Sequence, residues 1–389
     1  MKEYLTYIKD RFPNELQLII HLSQNELIIS EISILVRNIN WNLFLELVLK
    51  HRLVSHIAKH SQSLKELIPL EIIEKIKQFR LDQSKKSLNY GSFVIRLHKL
   101  LMDNEIFHCF FKGPLLSYEL YQDIGFRNFG DIDLLVEITR VEEAKSIIED
   151  LGFRCINPST SFTDRQKKIN YTISHHYFFR NERDNVNVEL HWNISNPQSF
   201  FSIETDDILS ASEIIQVSNT DLPYISRTIN LVYLAAHGSV HQWFRLFWIK
   251  DFSILLSKTS ATDLKNAIEL SKKLRLEKSF YQACKLANLL YKNEFPDFLQ
   301  TKIATRSYIE IPLKSIRTNE LKFRGIGGKI LFVFYKLQLK KSVAYYFDSV
   351  FRLRTHPTDW ELIKLPDRFF ALYYLLRPFL LIYKSFVRK

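Results

Sequence analysis

The reading of FRNFGDIDLLVEI, residues 126–138, decides the fold. Asp131 and Asp133 stand two positions apart in an otherwise apolar run. A strand alternates its faces, so Asp131, Asp133, Leu135 and Glu137 share one side and Ile132, Leu134 and Val136 the other. The two carboxylates are then about 7 Å apart along the strand. Burying carboxylates without partners is costly, and two side by side repel. A divalent cation between them removes both penalties. VNVELHW, residues 186–192, repeats the pattern: Asn187, Glu189 and His191 face one way, and Val186, Val188, Leu190 and Trp192 the other. Glu189 is thus a third carboxylate on a strand expected in the same sheet. Three carboxylates drawn from two neighbouring strands make an oxygen-ligand site for Mg²⁺ or Mn²⁺. The alternative is an Asp pair that caps a turn, with Glu189 held by an Arg or His. The preceding KG turn and the VELHW strand favour the metal.

Working outward, FHCFFKG (107–113) reads as a short strand closed by Gly113. PLLSYELYQ (114–122) opens with Pro in a helix's first turn, where its missing N–H costs nothing. RVEEAKSIIEDLGF (140–153) places Val141, Ala144, Ile147, Ile148 and Leu151 on one stripe, and Gly152 follows as the C-cap. HHYFFRN (175–181), the turn ERDN and VNVELHWNI (186–194) form a hairpin candidate. Helical spacing fills the regions on either side, including 41–60, 92–106 and a long apolar helix over 229–256. FRGIGG (323–328) reads as a linker or turn, and THPTDWELIKLPDR (355–368) as a Pro-containing break. The expected divisions are 1–105, an N-terminal helical region; 106–225, an α+β core; 226–322, a helical domain; and 323–389, a C-terminal helical region.

The chain has 389 residues, long enough for two or three domains, and a formal net charge of +12 that favours anionic partners. The excess is scattered in pairs such as Lys85-Lys86 and Lys272-Lys273. No recognised DNA- or RNA-reading motif accompanies it. Cys109, Cys155 and Cys284 are far apart and suggest neither a disulfide framework nor a metal knot. The N-terminal MKEYLTYIKDRFPNELQ lacks the apolar core of a signal peptide. A cytoplasmic protein is therefore expected. FFALYYLLRPFLLIY (369–383) is the most membrane-like segment, but Arg377 and Pro378 interrupt it and it falls short of the ~20 apolar residues a span needs. It is expected to pack on the protein's own core, with peripheral membrane contact as the alternative.

The assembled motifs resemble the nucleotidyltransferase superfamily of DNA polymerase beta: FFKG with Gly113, then GDIDLLV with Asp131 and Asp133, then VELHW with Glu189. More closely, the chain looks like a bacterial family of uncharacterised nucleotidyltransferases, with Lys112, Gly113, Leu116, Tyr121, Arg127, Gly130 and the ELHW of 189–192 in matching places. HGSVHQWFRLFWIKD (237–251) and LPDRFFALYYLLRPF (365–379) also look familial, so the resemblance runs from about residue 20 to 385. Lys112-Gly113-Pro114 departs from the Gly-Gly or Gly-Ser turn of the wider superfamily.

The resemblance implies an α+β fold, a polymerase-beta-like mixed sheet with helices, flanked by N- and C-terminal helical regions. It implies Mg²⁺- or Mn²⁺-dependent transfer of a nucleoside monophosphate from a nucleoside triphosphate such as ATP to an unknown acceptor, releasing pyrophosphate. Asp131, Asp133 and Glu189 would hold the metals. Lys112, Gly113, Arg127 and His191 would serve the nucleotide, Arg127 by binding phosphate or by shielding an aspartate. A noncatalytic nucleotide sensor on the same fold is the alternative. In a continuous helix over 229–256, His241, Phe244, Trp248 and Asp251 lie within about 40° of His237. Zinc is not expected there, because Gly238 stands where the H-E-x-x-H motif has Glu. A packing face is expected instead. His175 and His176 carry no specific signal.

Overall fold

The computed structural model describes residues 11–196, 199–294, 309–318, 325–340, 342–350 and 355–387. Two compact units interleave along the chain. A helical unit uses residues up to Leu88, Leu116–Phe129 and Arg227–Lys340. A sheet unit uses Asn89–Leu115, Gly130–Ser226 and residues from Lys341 onward.

The sheet unit is built on seven strands in the order β3-β4-β5-β2-β1-β7-β6. They are β1 His108–Phe111, β2 Ile132–Val136, β3 Arg154–Asn157, β4 His176–Asn181, β5 Val186–His191, β6 Glu213–Val217 and β7 Thr220–Tyr224. β2 is the central strand, antiparallel to β1 and parallel to β5. All five of its residues are buried, which explains its nearly unbroken apolar sequence. Ile132, Leu134, Val136, Val186, Val188, Leu190 and Phe179 form the apolar side of the sheet. The Val141–Asp150 helix packs against β5 and adds Val141, Ala144 and Ile148 to the core. Its chain leaves through Gly152, whose φ of 85° suits a helix C-cap.

The expected strands, hairpin and α+β class are all present, and three further strands join them. β3 is four residues long and half exposed. β6 is an edge strand, and β7 contains Pro223, which argues against a strand in sequence. Ser218 and Asn219, at φ 47° and 63°, supply the tight β6–β7 turn. β2 begins at Ile132, so Asp131 stands just before the strand rather than within it.

In the helical unit, the Arg227–Val240 helix packs against Ala261–Lys273 and Glu277–Tyr291 around Leu231, Ala235, Phe280 and Cys284. The expected continuous helix over 229–256 is two helices, Arg227–Val240 and Leu246–Ser257. Gln242 and Trp243 take φ of 55° and 53°, and the Trp243 N–H donates to the Gly238 carbonyl at 2.9 Å. The indole then lies so close that a Cβ on Gly238 would meet it at 2.4 Å. This close approach, not a helical period, explains the glycine. His237, His241 and Trp248 still meet in ring contact, at 4.6 Å between the histidines and 5.6 Å from His237 to Trp248. The 41–60 region likewise divides into Trp41–Lys50 and Val54–Ala58.

FRGIGG is not wholly a linker: Gly325 opens a helix running to Leu339, while residues 323 and 324 lie outside the described residues. The Leu372–Val387 helix turns Tyr373 and Leu380 inward, Tyr373 joining Trp360 and Phe370. Its Arg377 and Lys384 both reach Asp359, which is 0% exposed. Leu375, Phe379 and Ile382 remain exposed. Among the described residues no single helix is long and apolar enough to cross a membrane.

Candidate active site

Parallel pairing of β2 with β5 sets Asp133 directly beside Glu189 and Leu135 beside His191. Directly paired residues share a face, so Asp133, Glu189 and His191 stand together on the side opposite the apolar core. The β4–β5 hairpin extends that face, pairing His176 with His191 and Phe178 with Glu189. Phe111, paired with Asp133 on β1, sets its ring edge-on to His191 at 4.9 Å.

The entry to β2 is held from two sides. The Tyr90 hydroxyl donates to the Gly130 carbonyl at 2.7 Å, and the Asn187 side-chain amide donates to the same oxygen at 2.8 Å. Burial, with a further contribution from the charge of Asp131, pushes the Tyr90 phenol up to about 12. On the other side, Lys112 and Gly113 both have positive φ, 58° and 47°. A Cβ on Gly113 would lie 2.8 Å from the Asp131 carbonyl oxygen. The glycine is therefore required by this backbone crossing. The Gly113–Tyr121 helix starts at the same point.

Asp133 is 2% exposed. The Lys112 ammonium lies 2.7 Å from its Oδ1 as an ion pair, while Oδ2 has no hydrogen-bond partner. His191 Nε2 is 3.4 Å from Asp133 Oδ1 and 3.1 Å from Glu189 Oε2. His191 Nδ1 is 3.3 Å from the Asn193 carbonyl, an acceptor only, so Nδ1 carries a hydrogen, and Nε2 faces the carboxylates. Burial works to lower the His191 pKa, but Asp133 and Glu189 outweigh it and raise it. Burial works to raise Glu189, and the hydrogen bond and charge of His191 outweigh it and hold the carboxyl low. His176 is lowered to about 4 by burial and then by the charge of His191. His175 is lowered well below its ordinary value by burial and its neighbouring histidines.

One ligand atom each from Asp133, Glu189 and His191 lie within 4.8 Å of one another, and so do those from His175, His176 and His191. A buried carboxylate with one oxygen unpartnered, beside a second carboxylate, fits a divalent cation. Of the expected ligands, Asp133 and Glu189 meet. Asp131 is half-buried at the mouth of β2. Lys112 and Gly113 border the same edge. Arg127, expected to bind phosphate or shield an aspartate, belongs to the helical unit, where its Nε donates to Asp251 Oδ2 at 2.5 Å. His176 was not singled out in sequence, yet a signal existed. A hairpin closing from Asn181 to Val186 pairs residues whose numbers sum to one value, and that rule puts His176 opposite His191.

A family model described as uncharacterised nucleotidyltransferase matches residues 37–292. That span contains the KG turn, both aspartates, the ELHW strand and the HGSVHQWFRLFWIKD stretch, and it ends before residues 365–379. No curated protein matches the chain.

Proposed function

The chain belongs to the uncharacterised nucleotidyltransferase family, and from that premise we propose that it moves a nucleoside monophosphate from a nucleoside triphosphate to a hydroxyl- or phosphate-bearing acceptor. An acceptor oxygen forms a bond to the α-phosphorus, the bond from that phosphorus to the β-phosphate oxygen breaks, and pyrophosphate leaves. The observation that carries this reading is the side-by-side register of Asp133 and Glu189 on β2 and β5.

Asp133, Glu189 and Asp131 are the residues that would hold Mg²⁺ or Mn²⁺. The bound dication would neutralise phosphate charge and stabilise the attacking and leaving oxygens. Glu189, held at low pKa, stays ionised and suits a charge-holding role better than proton abstraction. Lys112, on the Asp133 side of the face, offers a point charge to a phosphate oxygen. The first N–H groups of the Gly113–Tyr121 helix add an anion cradle. His191 orders both carboxylates through one ring nitrogen. Catalysis then rests on positioning and charge rather than on a covalent intermediate.

The test is pyrophosphate release from each of four labelled triphosphates with pooled acceptors and Mg²⁺ or Mn²⁺. Wild-type protein should release it and Asp133→Asn should not. Equal release by both would reject the assignment. Nucleotide binding without release over a broad acceptor screen would favour a sensing role.

A further inference from the structure

We infer that the metal centre is nitrogen-ligated: His191 and His176 join Asp133 and Glu189 in a mixed imidazole–carboxylate site that takes a first-row transition dication in preference to Mg²⁺. This rests on the reading of Asp133 and Glu189 as metal ligands and goes beyond it by specifying the ion.

Four side chains on one face of β2, β4 and β5 supply the donors. His191 Nε2 is 3.1 Å from Glu189 Oε2 and 3.4 Å from Asp133 Oδ1. His176 Nε2 is 4.0 Å from Glu189 Oε1, and its ring centroid is 4.9 Å from that of His191. Strand register fixes both histidines, because His176 and His191 are directly paired across the hairpin.

Each imidazole also has its second nitrogen held from outside. His191 Nδ1–H meets the Asn193 carbonyl, and His176 Nδ1 lies 3.0 Å from His175 Nε2. The Asn193 carbonyl, an acceptor only, fixes a hydrogen on His191 Nδ1 and leaves its Nε2 to bind a metal, and the His175 contact orients the His176 ring. The independent sign of a missing partner is Asp133, 2% exposed, whose Oδ2 has no hydrogen bond. Without metal, a proton on Nε2 bridges His191 to the two carboxylates. A dication in that position replaces the proton and takes the Nε2 lone pair and both carboxylates as ligands. Imidazole nitrogens suit transition dications, whereas Mg²⁺ is served by oxygen donors and water.

The test is metal binding to full-length, metal-free protein, read without turnover. Co²⁺ is titrated by its visible absorption and Mg²⁺ by competition or calorimetry. Wild-type protein should bind one Co²⁺ in this site at least about 100-fold more tightly than Mg²⁺. His176→Ala, a half-buried position that leaves the strand intact, should weaken Co²⁺ about 10-fold or more and Mg²⁺ less than twofold. His191→Ala should do the same if circular dichroism shows it folded. Comparable affinity for the two ions, equal losses for both, or no effect of His176→Ala overturns the inference. Asp133→Asn separates the two readings: if it removes both ions while His176→Ala fails to discriminate, only the nitrogen ligation fails. If Asp133→Asn leaves both ions bound, the carboxylate centre itself fails.

Discussion

Asp133 and Asp251 are both buried aspartates, 2% and 1% exposed, one in each unit, and their surroundings are opposite. Asp251 accepts from Arg127 Nε at 2.5 Å and from the Tyr121 hydroxyl at 2.8 Å. Tyr121 in turn meets His56 Nε2 at 3.1 Å, and the Arg127 guanidinium lies over the Phe247 ring at 5.0 Å. Asp359 in the sheet unit follows the same rule, with Arg377, Lys384 and a backbone N–H as partners. Asp133 has an ion pair at Oδ1, no partner at Oδ2 and a second carboxylate beside it. A buried acid whose oxygens are all answered by the chain holds the fold together. One left short of partners next to another acid is prepared for something the chain does not supply.

That contrast can be broken or sharpened by substitution. The largest effect is expected at the Asp133–Glu189 face. Asp133→Asn should lower the turnover of triphosphate by roughly a thousand-fold, the scale for losing one preorganised electrostatic group, while far-ultraviolet circular dichroism stays unchanged. Next is Arg127→Ala, which strands Asp251 as an uncompensated buried charge. Urea unfolding should show a loss of about 3 kcal/mol, and adding Asp251→Leu should recover most of it.

A smaller effect concerns Lys250, the neighbour of Asp251. It is 2% exposed, hydrogen-bonded to Asn25, and lowered to about 7 by burial. In unfolded chain its pKa is about 10.4, so between pH 7 and about 10 the unfolded state binds more protons and stability rises with pH. The burial penalty is fully present below pH 7 and is lost as pH rises through that window. Wild-type protein should gain about 2 kcal/mol from pH 7 to 9 relative to Lys250→Met, measured by unfolding at both pH values. Smallest is Gly113→Ala. A Cβ at positive φ against the Asp131 carbonyl should cost about 1–2 kcal/mol, read as a lowered melting temperature.

The part of the molecule legible in sequence is the part governed by short periods. Alternation in DIDLLV and VNVELH located β2 and β5, and the hairpin spacing located β4. Parallel pairing of β2 with β5 then brought Asp133 and Glu189 together as expected. What escaped depends on partners distant in sequence. β7 is a strand because its neighbours β1 and β6 receive it despite Pro223. The break after Val240 depends on Trp243 folding back over Gly238, which no helical period records. Arg127 reads as a phosphate ligand four residues before Asp131, but its carboxylate partner, Asp251, lies 124 residues on. His176 gains meaning only once the hairpin register is fixed.

The most direct test of the claim that Asp133 is buried for function rather than stability is a pair of melts, with and without Mn²⁺, of wild type, Asp133→Asn and Asp251→Asn. Without metal, Asp133→Asn should be as stable as wild type and Asp251→Asn clearly less so. At a free Mn²⁺ of 100 times Kd, wild type and Asp251→Asn should each gain about 2.7 kcal/mol, and Asp133→Asn nothing. An Asp133→Asn protein destabilised like Asp251→Asn, with its Mn²⁺ gain intact, would contradict the claim.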